Sequence, residues 1–341
     1  MKTIVLTQPG VFQLTETARP GAPGPTEALV RVHRVGICGT DLHAFRGRQP
    51  FFSYPRILGH ELGVEVLALG ADAGQAGVAV GDLCAVEPYL NCGECSACRR
   101  GKTNCCTRLQ VLGVHSDGGM REEILVPVAK LHKAEDVPVD QLAMVEMLCI
   151  GAHAVARAQL TPGEQVLVIG AGPIGLGVMQ FAQLAGARVA GMEMSDSRMH
   201  FAQNALGIDK WVDSRGDVAG QLAARWGGEL PTAVFDATGN ATSMGNAFNY
   251  VENGGKLIFV GLVQDDIIFH DPDFHRREGT LLSSRNATAG DFARVLQAMR
   301  DGVLTLEPWI THRANPDELA EAFPGWLDPA AGVVKAMLEF G

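Results

Sequence analysis

No window of this chain approaches eighteen consecutive apolar residues, so no membrane-spanning helix and no membrane partner are expected. Basic clusters are missing as well. No run of lysine or arginine is longer than Arg99-Arg100 and the formal net charge is −10, which argues against nucleic acid as a partner. Repeats of fixed period and low-complexity stretches are absent, which removes solenoids and biased tails. The opening MKTIVLTQPG has one lysine and too short an apolar run for a secretory signal, so it reads as a first strand in a cytoplasmic protein. Nor is the chain short: 341 residues allow two domains, each with its own core, and no cross-link is needed to compensate for small size. What remains is the composition of a globular enzyme, 47% hydrophobic against 19% charged, whose default ligand is a small molecule.

The texture changes once along the chain. Up to about residue 145, β-branched alternation such as TEALVRVHRVGICGTD and GVEVLALG is punctuated by Pro and Gly every few residues, predicting a β-rich domain. From Thr161 onward, short apolar runs (GEQVLVIG, ARVAGME, AVFDATG, KLIFVGL, TLLSSR) alternate with helix-length segments such as PIGLGVMQFAQLAGA. That pattern predicts a doubly wound parallel sheet. Beyond Arg285, DFARVLQAMRDG reads as a helix ending at Gly302, ANPDELAEAFPGWL as a helix opened by Asn315 and Pro316, and VVKAMLEF as a last strand. This tail is too short to be a domain and is expected to pack on the N-terminal half. The fold class is therefore α/β, with boundaries placed at 1–147, 148–285 and 286–341.

GEQVLVIG runs directly into GAGPIG, which sets Gly170, Gly172 and Gly175 in the G-x-G-x-x-G spacing. The first glycine allows a tight turn, the second lets a pyrophosphate approach the backbone, and the third lets helix and strand pack closely. Pro173, followed by Ile174, suits the first helical position, where a missing N–H costs nothing. The next apolar run ends at Glu193, where a carboxylate would accept the two ribose hydroxyls and repel a 2′-phosphate, favouring NAD over NADP. Arg198 nearby could accommodate such a phosphate instead. DATG, residues 236–239 with Thr238, ends a later strand on the edge where ligands of such sheets bind, though a plain strand-end turn reads equally well.

Five of the eight cysteines fall in NCGECSACRRGKTNCC, residues 91–106. Cys92, Cys95, Cys98, Cys105 and Cys106 offer one thiolate more than a closed tetrahedral Zn²⁺ site requires. A disulfide framework would leave an odd thiol in a reducing compartment, and the spacing does not single out a fourth ligand for an iron–sulfur cluster. Cys38, His60 and Glu61 form a mixed thiolate, imidazole and carboxylate set that suits a catalytic Zn²⁺ with an open place. Each also has an ordinary reading: a buried thiol, a satisfied histidine, a surface charge.

Taken together, GICGTDLH, GHE, the cysteine loop and GAGPIG with Glu193 resemble the zinc-containing medium-chain dehydrogenases, the superfamily of alcohol, sorbitol and threonine dehydrogenases, over nearly the whole length. The resemblance implies a GroES-like catalytic domain beside a Rossmann domain, two Zn²⁺ per chain, and a homodimer or homotetramer. It assigns Cys92, Cys95, Cys98 and Cys106 to the structural metal, with Cys105 spare. MVEMLCIGAHAV resembles the polyol-type pattern and puts Glu146 near the catalytic metal, although Met147 stands where proline is expected and Cys149 is a rival. Thr40 and His43 are implied as a proton relay and Asp41 as a residue that orients a ligand. Arg46, Arg48 and Arg56, beside Phe51, Phe52 and Tyr54, would suit a sugar acid, or else simply balance an acidic surface. Ser284, Arg285 and Asn286 could approach the nicotinamide. The expected activity is oxidation of a secondary hydroxyl on a polyol, sugar or sugar acid. The alternatives are a threonine or vicinal-diol dehydrogenase, and a non-catalytic dinucleotide-binding protein with a structural zinc.

Overall fold

The computed structural model describes residues 1–49, 52–75, 77–304 and 306–341. They divide into one unit of residues 1–146 with 287–341 and a second of residues 147–286. The changeovers fall one residue from the expected boundaries, after Glu146 and after Asn286. No helix among the described residues is long and apolar enough to cross a membrane.

The first unit is built on a seven-stranded sheet in the order Ile310–Ala314, Lys335–Glu339, Glu27–Ile37, Glu61–Leu69, Leu83–Val86, Leu131–Lys133, with Glu123–Pro127 also paired to Glu27–Ile37. Along Glu27–Ile37 the buried residues first alternate, Ala28, Val30 and Val32, as a half-buried strand requires. The register slips between Val32 and Arg34, and beyond it Val35, Gly36 and Ile37 are all buried. This irregularity carries the strand end into the interior, where it passes into the helix Gly39–Phe45 through Cys38. On one flank Gly36 pairs with Glu61, and on the other Ile37 pairs with Ala336. Two distant segments thus deliver their side chains to the same strand end.

The tail from residue 287 belongs to this unit. Its helix Leu319–Gly325 sets Phe323 against Phe12 and Phe45, with ring centroids 4.9 Å apart for Phe12–Phe323 and 5.0 Å for Phe45–Phe323, and Trp326 just beyond the helix packs on Phe323. The helix begins four residues later than Asn315 suggested. The Asn315 side-chain oxygen accepts the backbone N–H groups of Asp317 and Glu318, closing a separate turn first.

The second unit holds a six-stranded parallel sheet in the order Trp211–Asp213, Arg188–Glu193, Gln165–Ile169, Ala233–Asp236, Lys256–Phe259, Thr280–Ser283. Val166, Leu167 and Val168 are wholly buried in its first strand, as expected where helices cover both faces. Strand order reverses between Gln165–Ile169 and Ala233–Asp236, the switch point at which such sheets bind nucleotides. Trp211–Asp213 is a strand the sequence reading passed over. Three residues carry no detectable period.

Phe45 sits at the end of the helix Gly39–Phe45 that follows Cys38, so the aromatic cluster also fixes that helix. Phe323→Ala is expected to cost about 3–5 kcal/mol, as for other large buried aromatics, and to lower the denaturant midpoint accordingly. A loss below 1 kcal/mol in a urea titration would show that the tail is not part of this core.

Candidate functional site

In the cysteine loop, the sulfurs of Cys92, Cys95, Cys98 and Cys106 all lie within 4.8 Å of one another. Individual separations are 3.4 Å for Cys92–Cys106, 3.5 Å for Cys95–Cys98 and 4.0 Å for Cys92–Cys98. Four thiolates about 2.3 Å from a tetrahedral Zn²⁺ stand roughly 3.8 Å apart, so these four fit a closed zinc site. Backbone N–H groups favour thiolate here: Cys92 donates to the Cys106 sulfur at 3.3 Å, Arg108 to the same sulfur at 3.3 Å, and Cys95 to Cys92 at 3.4 Å. The backbone N–H groups of Cys98 and Thr107 bring the Cys95 thiol down to about 5. Cys105 is exposed and outside the group.

The loop is tied to the sheet by a line of polar contacts. Asn91 donates to the Cys98 sulfur at 3.7 Å and accepts from the Lys130 ammonium at 2.9 Å. Lys130 also donates to buried Glu87, whose other oxygen lies 3.1 Å from His132 Nε2.

The second cluster forms where the Glu27–Ile37 strand ends. The Cys38 sulfur, a ring nitrogen of His60 and a carboxylate oxygen of Glu61 lie within 4.8 Å of one another. His60 and Glu61 are buried and Cys38 is half-buried. Asp41, wholly buried, accepts the Cys38 backbone N–H with Oδ2 at 2.9 Å. Its Oδ1 and the His60 Nδ1 face one another at 3.8 Å, buried and without a hydrogen bond. A metal on the imidazole would relieve that pair, because a metal-bound histidine turns its other ring N–H toward a carboxylate. Burial opposes a charged His60, yet the charges of Asp41, Cys38 and Glu146 prevail and hold its pKa well above 6.5. The field that draws a proton to the imidazole is the field a divalent cation would meet. The donor set fits Zn²⁺.

Glu146 is buried but outside the Cys38–His60–Glu61 group. Tyr89 donates a short hydrogen bond to it. Burial and the neighbouring Glu61 charge push its carboxyl up to about 7 against the pull of His60. Glu61 is held by a residue that the sequence reading missed: Lys335, 1% exposed, donates to Oε1 at 2.9 Å, to Oε2 at 2.6 Å and to the Ile37 carbonyl at 3.1 Å. A lysine inside the apolar run VVKAMLEF was the available signal, since lysine is almost never fully buried unless paired. Tyr89 was missed too. Cys149 is wholly buried in the helix Val145–Ala158 and belongs to neither cluster.

Thr40 is half-buried and His43 exposed, three residues apart on one helix and so on one face. Partial burial first, then the nearby guanidinium groups of Arg46 and Arg48, hold the His43 pKa below 6.5. Of the three loop arginines, Arg56 bonds Ser53 and Asp117, Arg46 donates to the Leu327 carbonyl, and Arg48 is exposed. Phe52 and Tyr54 pack on the first core, and Phe51 lies outside the described residues.

In the second unit, Gly170 has φ +94° and Gly172 opens the helix Pro173–Leu184. A Cβ at Gly175 would lie 1.8 Å from the Gly170 carbonyl oxygen, whereas one at Gly172 meets nothing within 4 Å. The third glycine is thus required by packing, and the second leaves the space that a pyrophosphate would take. Ile174 follows Pro173, half-buried. Glu193 accepts the Ala171 backbone N–H at 2.9 Å and those of Met194 and Ser195 at 2.7 and 3.1 Å, so it joins the strand end to the glycine turn. Arg198 stands 3.8 Å from it. The Thr238 hydroxyl is engaged by its own turn, donating to buried Asp236 at 2.6 Å, while its methyl lies against Gly170. Ser284 follows the last strand with its hydroxyl buried, Arg285 is exposed, and Asn286 has φ +50°.

Comparison with known proteins gives a consistent result. The alcohol dehydrogenase GroES-like domain family matches residues 24–136, and the zinc-binding dehydrogenase family matches residues 173–301. The chain is 42% identical to L-galactonate-5-dehydrogenase of Escherichia coli K12, across 100% of this chain and 99% of that protein. It is 30% identical to 2-dehydro-3-deoxy-L-galactonate 5-dehydrogenase of Pseudoalteromonas atlantica, across 93% of each. Among solved structures, the rspB alcohol dehydrogenase of Escherichia coli CFT073 in complex with NADH superposes with a TM-score of 0.91 at 31% identity, covering 100% of this chain and 99% of that one.

The cage geometry separates two adjacent cysteines. Cys105→Ser is expected to retain the metal of the loop, and Cys106→Ser to lose it together with thermal stability. Metal content by plasma emission and a thermal melt check this, and equal metal loss in both variants would refute the assignment.

Proposed function

We propose, from the premise that the chain belongs to the zinc-binding, GroES-like alcohol dehydrogenase family, that it oxidises a secondary hydroxyl of a sugar acid or polyol with NAD. The observation that carries this reading is the set of half-buried Cys38 with buried His60 and Glu61, donors of a catalytic rather than a closed site. The set also disfavours a non-catalytic dinucleotide-binding protein, which has no need of such a group. At 42% identity over the full chain, L-galactonate-5-dehydrogenase supports a sugar acid as substrate class, and Arg48, exposed like Arg46, offers a guanidinium that suits a carboxylate.

Zn²⁺ held by Cys38 and His60, with Glu61 and Glu146 beside them, would supply Lewis-acid polarisation of the substrate oxygen, and NAD would supply the hydride acceptor. The chain's own residues do the rest. Asp41 orients His60. Thr40 takes the hydroxyl proton and passes it along the helix face to His43, which is open to solvent. The depressed His43 pKa keeps that imidazole neutral, and able to accept a proton, at pH 7. Gly170, Gly172, Pro173, Ile174 and Gly175 form the pyrophosphate cradle, and Glu193 receives the ribose hydroxyls. The same reading carries a cytoplasmic location and a homodimer or homotetramer, checked by sedimentation equilibrium.

A panel of aldonates, alditols and primary aliphatic alcohols, followed by NADH absorbance, should give turnover on the first two classes. Activity confined to primary alcohols would sink the proposal. Glu193→Ser should improve NADP use at least tenfold, because Arg198 would then stand beside the 2′ position without an opposing carboxylate. Because the Arg48 charge helps lower the His43 pKa, Arg48→Met should raise that pKa and move the acid limb of the kcat profile to higher pH. An unmoved acid limb would remove His43 from the relay.

A further inference from the structure

Asp236 ends the strand Ala233–Asp236, wholly buried, and its partner in register is Ile169, the residue before Gly170. It therefore stands at the switch point itself. The Thr238 backbone N–H and hydroxyl donate to its Oδ1 at 2.9 and 2.6 Å, and the Ser243 hydroxyl donates to Oδ2 at 2.6 Å. Three donors aimed at its oxygens favour the ionised carboxylate. All three are neutral groups, whereas Glu61 has the Lys335 ammonium at 2.6 Å and Glu193 the Arg198 guanidinium at 3.8 Å. No such cation pairs with Asp236 among the described residues. The charge also has a defined place along the cleft. Glu193 ends the strand on one side of Gln165–Ile169 and Asp236 ends the strand on the other, so a dinucleotide with its adenosine ribose at Glu193 would lay its nicotinamide half on the side of Asp236. Close backbone approaches seal this place: a Cβ on Gly261 would lie 2.4 Å from the Gly239 nitrogen, and one on Gly170 would lie 3.2 Å from the Thr238 methyl. Water does not reach the carboxylate, so its field is screened far less than that of exposed Arg285 beyond the last strand.

We propose that the buried charge of Asp236 biases the cofactor site toward the oxidised dinucleotide. NAD⁺ and NADH share the same adenosine and pyrophosphate and differ by one positive charge on the nicotinamide ring. Whatever Glu193 and the glycine turn contribute is common to both forms, while an unpaired negative charge on the ring's side of the cleft attracts only the cation. Asp236 acts by its field and not by contact. For a chain that oxidises a hydroxyl this is the productive sense: the form that accepts hydride is held more tightly, and the transfer that neutralises the ring loosens the product.

This inference rests on the reading of the second unit as an NAD site, and the experiment separates the two. Dissociation constants of NAD⁺ and NADH are measured by titration calorimetry on full-length wild type, Asp236→Asn and Ser243→Ala. Asparagine keeps the shape and can still accept from Thr238 but lacks the charge, whereas alanine at position 243 removes one hydrogen bond and leaves the charge. Asp236→Asn should raise the NAD⁺ constant at least about fivefold relative to that of NADH. Ser243→Ala should keep the ratio within about twofold of wild type, because a loss of turn geometry weakens both forms alike. A tenfold change in this ratio is a shift of about 30 mV in the bound two-electron couple. Wild-type protein that binds neither dinucleotide would overturn the cofactor reading itself. Binding of both, with a smaller change in Asp236→Asn or an equal one in Ser243→Ala, would overturn this proposal alone. Should Asp236→Asn fail to fold, Ser243→Lys addresses the same point by setting an ammonium against the carboxylate from a half-buried helix position. The ratio should then move in the same direction, and an unmoved ratio overturns the proposal.

Discussion

Buried charge is the constraint on which the first unit turns. Asp41, His60, Glu61, Glu146 and Lys335 are all within a few per cent of complete burial at one end of its sheet. None of them could stay there ionised alone, since an isolated buried ion costs far more than a domain can spare. Each is matched: Glu61 with Lys335, Glu146 with Tyr89, Asp41 with the Cys38 backbone. The His60 Nδ1 and Asp41 Oδ1 are the unmatched remainder, a buried pair that a cation on the imidazole would relieve. The slip in the Glu27–Ile37 strand, the glycine at residue 36 and the return of the tail all follow from assembling these groups around one strand end.

The two candidate metal sites differ in how the chain makes them. The cage takes four donors from fifteen consecutive positions, 92–106, so its geometry is set locally by turns and backbone N–H groups. It needs little from the rest of the fold beyond Asn91 and Lys130. The other set draws on residues 38, 60 and 61, and its supporting partners lie at 89, 146 and 335. Such a site exists only when the sheet is paired in register. A one-residue slip between Glu27–Ile37 and Glu61–Leu69 would turn Glu61 to the opposite face.

That difference explains what could be read before the structure. Contiguous or motif-borne features were legible: the glycine turn with Glu193, the cysteine loop, the parallel sheet from its apolar runs, the tail's membership of the first half. Features set by pairing at long range were not. Lys335 lies 274 residues from Glu61, and Tyr89 lies 57 from Glu146, so no spacing rule connects them. The late start at Leu319 escaped because Asn315 can cap a helix or close its own turn, and the choice depends on how the tail packs. Trp211–Asp213 is too short to show a period; it is a strand through its pairing with Arg188–Glu193, where Gly191 leaves room for the Trp211 ring.

The segment from Glu87 to Cys92 shows why a closed cage belongs in an enzyme of this size, which has no need of metal to compensate for a small core. Alternate residues of this stretch reach three places: Glu87 to Lys130 and His132, Tyr89 to Glu146, Asn91 to Lys130 and the Cys98 sulfur. Cys92, next along, is itself one of the four cage thiols. The strand Tyr89–Leu90 has only two residues and one partner, Gln110–Val111, too little pairing to fix a phenol against a buried carboxylate. The cage lies in the connection between those two strands, and a metal there would close it into one rigid loop. Its role would then be mechanical: a metal held by these four thiols would brace Tyr89 from the far side, and through it the buried Glu146, without offering an open coordination position of its own.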